Sequence, residues 1–189
     1  MREGLLRKLS PYLAGSALVI ASVMLPELEG IKYVASPDVA GTLDVCYGHT
    51  GKDIIKGKHY TEQECRALLD ADLRAVAAGV DPYIRSDISN TQRAAIYTFA
   101  YNVGVTAFRN STMLKKINAG DQKGACDELR RWTYAGGKQW KGLMNRREIE
   151  REVCTWSEKS VKPEIKTHNR AESDGGIIPG VAVPVPGFF

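Results

Sequence analysis

Residues 9–26, LSPYLAGSALVIASVMLP, run for eighteen positions without a charge. Arg2, Arg7 and Lys8 precede the run and Glu27 closes it. A basic start followed by an uncharged stretch reads as a secretory signal or a short transmembrane helix. Its length lies at the short end of the roughly 17–25 residues that span a bilayer. It is also only weakly apolar, because Ser10, Gly15, Ser16, Ser22 and several alanines dilute it. No small-x-small cleavage site with a spacer follows, which favours an uncleaved anchor over a removed signal. The basic residues ahead of the span place the N-terminus in the cytoplasm and the remainder outside.

The remainder is long enough for one domain with a core. The chain has 189 residues, 43% hydrophobic and 25% charged, which is a globular composition. A net charge of +4 suits a polyanionic partner but selects none. Basic and aromatic residues do not interleave regularly, so nucleic acid is not an expected partner. Cys46, Cys65, Cys126 and Cys154 lack the C-x2-C spacing of a zinc site. In an oxidising compartment four such cysteines fit two disulfides. No nucleotide-binding glycine loop and no metal constellation is present, so the chain is expected to need no cofactor and no metal.

Along the body, Thr61-Glu62-Gln63-Glu64 is a capping box. Apolar residues at Cys65, Leu68, Leu69, Leu73 and Val76 follow at helical spacing, ending at Gly79 and Pro82. A buried helix is expected from Asn90 or Thr91 through Val103, a short one from Ser111 through Ile117, and another from Lys123 to Trp132. TYAGGKQWKG reads as a glycine-rich loop, and Met144–Trp156 as a charged helix. Residues 30–60 scatter Gly, Pro and β-branched types, with a strand expected over Val45–Thr50. A small β-region followed by several helices is an α+β plan. The last thirty or so residues carry four prolines and four glycines without periodicity, and read as an extended or disordered tail. The expected organisation is an anchor at 1–26, one domain at 27–157 and a tail at 158–189.

Three acids cluster after the apolar run, in EGIKYVASPDVAGTLDVCYGHT. Glu29 stands at the end of the hydrophobic segment, in the opening turns of a helix. Asp38 follows after eight intervening residues and Asp44 after five more. Acid-catalysed sugar hydrolysis uses two carboxyls across the scissile bond, one protonated in an apolar pocket and one ionised. A helix followed by a β-turn can present such a pair.

At these residues the sequence resembles the tailed-phage lysozymes, glycoside hydrolase family 24, which carry Glu-x8-Asp-x5-Thr and then a Gly-His pair. The likeness continues in YTFAYNVGVTAFRNSTMLKKINAGD and CDELRRWTYAGGKQWKGLMNRREIEREVC, and covers about residues 29–157. The leader resembles that of the signal-anchor-release endolysins. The resemblance implies a lysozyme-like fold with an N-terminal hydrophobic helix, and a muramidase that cuts the β-1,4 bond between N-acetylmuramic acid and N-acetylglucosamine. The implied partners are peptidoglycan and the host inner membrane. The protein, a monomer, would be held there and then released to the periplasm to lyse the host. Glu29 matches the general acid. Asp38 matches the second carboxylate, which activates water or stabilises the oxocarbenium ion. His49 and Asn102 fall at substrate-side positions, with a hydrogen-bonded support as the favoured role of His49. Gly104, Phe108, Ser111, Thr112, Gly136, Gly137, Gly142, Arg146 and Arg147 match signature positions that are mostly fold residues, the two arginines being placed to pair with Glu150.

Asp44 departs from the pattern, since the family has threonine there to place the attacking water. An ionised carboxylate cannot donate as a hydroxyl does, and a third acid near Asp38 brings like-charge repulsion. Three outcomes are open: Asp44 acts as base, it attacks directly, or the site is impaired. Ser36 likewise stands where many relatives carry tyrosine. A lytic transglycosylase, which needs no water-placing threonine, and an inactive tethered domain that binds glycan or protein are the competing readings. Glu29 lies four residues beyond Leu25. With about 1.5 Å of rise per residue, anchoring would hold it at the bilayer interface, and release would let the site assemble. Of the three possible cysteine pairings, Cys46–Cys65 and Cys126–Cys154 are favoured. The first ties the β-region to the next helix, and the second ties the two C-terminal helices.

Overall fold

The computed structural model describes residues 2–37 and 41–156, so Asp38 and the tail expected at 158–189 lie outside the described residues. Helix α1 spans Arg2–Leu9 and a 3-10 turn Ser10–Tyr12 follows it. Helix α2 spans Ala17–Glu29, capped by the Ser16 side chain, which accepts from the Val19 amide. The uncharged run is therefore not one hydrophobic helix. Pro11 opens the 3-10 turn, where its missing N–H costs nothing. Ser16 then starts a new helix, and Asn90 donates to the Gly15 carbonyl at 3.1 Å to fix the bend. No helix of the described residues is long and apolar enough to cross a membrane.

Both N-terminal helices pack into the protein. Leu5, Leu9, Leu13, Ile20, Met24 and Leu25 are buried in the core, with Leu9 and the last three fully buried. Fully burying a side chain of this size contributes about 1.5–3 kcal/mol, so the segment is a structural part of the unit it precedes. Lys8 reaches Glu27 at 2.7 Å across α1 and α2, an exposed pair of small energetic weight.

Strands β1 (Lys32–Pro37) and β2 (Leu43–Cys46) form an antiparallel pair with an irregular register between Lys32 and Ser36. The expected strand over Val45–Thr50 stops at Cys46, whose φ is +60°, and Gly48 follows at φ +82°. Two left-handed residues turn the chain tightly enough for Val45 and His49 to exchange backbone hydrogen bonds. The Cys46–Cys65 disulfide fastens this turn to α3 (Glu62–Val80). Helix α3 begins with the capping box of Thr61 and Glu64. Gly79 lies inside its last turn rather than ending it.

Helix α4 (Asn90–Val103) is the centre of the helical lobe, capped by Ser89 and packed by α2, α3 and α8. Nine of its residues, Thr91, Gln92 and Ala94 to Ala100, are buried, so it is enclosed rather than amphipathic. Short helices α5 (Val105–Arg109), α6 (Thr112–Asn118) and α7 (Gln122–Asp127) follow. A 3-10 turn over Glu128–Arg131 completes the segment expected as one helix to Trp132. Strands β3 (Tyr134–Ala135) and β4 (Lys138–Gln139) make a hairpin where a loop was expected. Helix α8 spans Lys141–Cys154 and is held to α7 by the Cys126–Cys154 disulfide. Both favoured disulfide pairings are present.

Candidate active site

Glu29 is the last residue of α2, with Gly30 beyond it at φ +71°. The sequence had pointed to the opening turns of a helix. The helix end instead carries the carboxylate out of the core to where the β-region meets the helical lobe. Arg146 of α8 donates to Glu29 Oε1 at 2.7 Å. The other oxygen, Oε2, faces the turn after β2, where a Cβ built on Gly48 would stand 3.8 Å from it. The surroundings of Glu29 are thus polar on one side and not the apolar pocket expected of a general acid.

Arg146 is itself buried and has three acceptors. Besides Glu29 it donates to Glu150 Oε1 at 3.0 Å and to the Thr98 carbonyl at 3.1 Å. Arg147 bonds the other oxygen of Glu150, the Trp132 carbonyl and Asn102 Oδ1. Burial works against the charge of Arg146, but the carboxylates of Glu150 and Glu29 outweigh it and raise its pKa above the ordinary value. The expected pairing of Arg146 and Arg147 with Glu150 is present. The link onward to Glu29 was not visible in sequence, because 117 residues separate the partners. Asn102 is exposed at the end of α4 with its oxygen committed to Arg147.

Asp44 lies on β2 directly opposite Ser36. Lys32 donates to both of its oxygens, at 2.7 and 2.9 Å. The carboxylate is largely enclosed, at 16% exposure, while the lysine side chain is 47% exposed. The expected like-charge conflict therefore meets a cation supplied by the neighbouring strand. Lys32 was missed in sequence because only the strand register brings it to Asp44.

His49 is buried beside this turn, its Nδ1 2.9 Å from Asp72 of α3 and its Nε2 3.3 Å from Asp53. Burial disfavours the imidazolium, but the hydrogen bonds and charges of Asp72 and Asp53 prevail, and the pKa is raised. Tyr101 of α4 donates to the Tyr47 carbonyl at 2.9 Å and also approaches Asp72. With both ring nitrogens engaged, His49 joins the turn to α3.

The phage lysozyme family profile matches residues 26–150, a span that holds every residue described in this site. A SAR-endolysin of bacteriophage PS119 is 57% identical over 162 residues, covering 82% of this chain and 97% of that protein. A SAR-endolysin of bacteriophage PS34 is 60% identical over 152 residues, covering 77% of this chain and 91% of its own. Among solved structures, the endolysin from an Escherichia coli phage, FAHEc1, superposes with a TM-score of 0.67 at 28% identity. That match covers 76% of this chain and 94% of the other.

Proposed function

The chain belongs to the phage lysozyme family, and from that premise we propose that it is an endolysin that hydrolyses the β-1,4 linkage between N-acetylmuramic acid and N-acetylglucosamine in peptidoglycan. The observation that carries the reading is the setting of Glu29. A helix leaving the core ends on a carboxyl that is held by a buried arginine at the junction of the two lobes. One oxygen stays with Arg146 and the other faces the turn at Gly48, where a glycosidic oxygen can be met.

In this reading Glu29 protonates the leaving oxygen and Asp38 serves the oxocarbenium ion or the attacking water from the opposite side. Asp44, its charge balanced by Lys32, accepts a hydrogen bond from that water in place of the family hydroxyl. Asn102 meets the substrate through its exposed amide end, and His49 keeps the turn in register. The protein acts as a monomer. Purified murein should release reducing ends without 1,6-anhydro ends, and the Glu29→Gln variant should release neither. Anhydro ends would instead identify a transglycosylase.

The likeness to SAR-endolysins supports export into the inner membrane followed by release to the periplasm. The region 1–26 then serves twice: as an anchor in the bilayer and, after release, as α1 and the first part of α2. The second use supports control by release, because Glu29 gains its place only when α2 is seated in the core.

A further inference from the structure

The two most exposed large aromatic residues among the described residues lie on the hairpin that precedes α8 and on the residue that links it to α8. Tyr134 is 63% exposed and Trp140 is 52% exposed. The hairpin is held by hydrogen bonds. Trp140 Nε1 donates to the Ala135 carbonyl at 3.0 Å, and its backbone amide donates to the Thr133 carbonyl at 2.9 Å. Gln139 reaches the Thr133 hydroxyl at 3.0 Å, and Thr133 is buried. The hairpin is also joined to the candidate active site. Arg147 holds the Trp132 carbonyl, and the chain of bonds runs on through Glu150 and Arg146 to Glu29.

Two cations flank the rings. Lys138 lies 5.5 Å from the centre of the Trp140 ring, and Lys141 is the next residue along. Neither makes an ion pair among the described residues, although most cations nearby do, such as Arg130 with Glu148 at 2.5 Å. An exposed indole beside ammonium groups that form no ion pair among the described residues has the chemistry for a saccharide carrying carboxylates. The apolar face of a pyranose lies on a fixed indole, and the lysines take the anionic groups.

We propose that the Tyr134–Trp140 hairpin is an accessory subsite for the peptidoglycan strand. A sugar ring rests on Trp140, and Lys138 and Lys141 hold the carboxylates of the stem peptide. This rests on the muramidase reading for its ligand, but it assigns binding to a surface apart from the three acids. Its contribution is to affinity and not to the chemical step, so loss of the ring raises KM and leaves kcat in place.

The test uses the full chain carrying Glu29→Gln, incubated with purified sacculi and with glycan strands stripped of peptide by an amidase. Trp140→Ala should weaken binding to both about tenfold or more, as loss of a central tryptophan does elsewhere. Trp140→Phe, which keeps a ring though not the bond to Ala135, should recover most of it, with each variant still unfolding cooperatively. Lys138→Gln with Lys141→Gln should weaken binding to sacculi alone. In the chain with Glu29 intact, Trp140→Ala should raise KM. Unaltered binding and KM in Trp140→Ala would overturn the subsite while leaving the muramidase reading standing. Trp140-dependent capture by anionic phospholipid vesicles and not by sacculi would also overturn it. Trp140-dependent sacculus binding by a parent chain that cuts no murein would sink the muramidase reading and leave the subsite.

Discussion

Arg146 Nη1 lies 2.7 Å from Glu29 Oε1 and ties the end of α2 to the buried face of α8. One guanidinium thereby fixes the candidate acid and satisfies Glu150, which is fully buried. The substitution Arg146→Met removes one of the two arginines that serve Glu150. Breaking a buried pair from one side costs about 3–5 kcal/mol. Denaturant unfolding should show that loss, and murein hydrolysis should fall with it. Arg146→Lys keeps the charge but cannot serve three acceptors from one ammonium in the same plane, so its stability should lie between the two.

Lys32 and Asp44 should behave as a unit. Lys32→Met leaves Asp44 as an unbalanced carboxylate beside the proposed water site, and should lower kcat about tenfold. In the Asp44→Thr background there is no charge to balance, so the same change at Lys32 should cost little. The coupling read from this cycle should be on the order of 1 kcal/mol or more. Additive losses from the two substitutions would remove Lys32 from any role at Asp44.

His49 gives the protein a defined pH response. Its folded pKa is raised above the ordinary value of about 6.5, so folding favours the protonated form. The stabilisation is complete below the unfolded pKa and is lost as pH rises through the folded one. The unfolding midpoint should therefore decline as pH rises from about 6.5 upward. His49→Asn should flatten this limb. A midpoint that rises over the same window would reverse the assigned sign.

Ile20 and Met24 test the second use of the leader. Both are fully buried. Ile20→Ala or Met24→Ala should cost about 2–5 kcal/mol, depending on how far the cavity collapses. Thermal unfolding of the chain recovered from the periplasm measures it. An unchanged midpoint would mean that α2 does not belong to the core of the working enzyme.

Local chemistry made much of this architecture readable in advance. Thr61 and Glu64 announce α3 within four residues, and the helices around Asn90 and Ser111 begin within a residue of where they are expected. The two cysteine pairings followed from which elements they would join. What stayed hidden depends on distant partners. The uncharged run is equally suited to lipid or to a protein core, so its break at Pro11 and Ser16 was outweighed by its length. The hairpin reads as a loop from sequence, although Gly136 and Gly137 carry a turn signal, both having positive φ at +57° and +75°. Its strands hold two residues each, too few to show alternation. Glu29 and Asp44 were legible as acids, but their cations, Arg146 and Lys32, emerge only once the chain is folded.

At bottom lies the claim that the carboxyl at the end of α2 transfers a proton to a glycosidic oxygen. Its most direct measurement is the release of reducing sugar from purified murein by the periplasmic form, parent against Glu29→Gln, with matched unfolding midpoints. The parent should generate muramic acid reducing ends steadily while the glutamine variant stays at background. Equal rates from the two proteins, or no release from either, would contradict it.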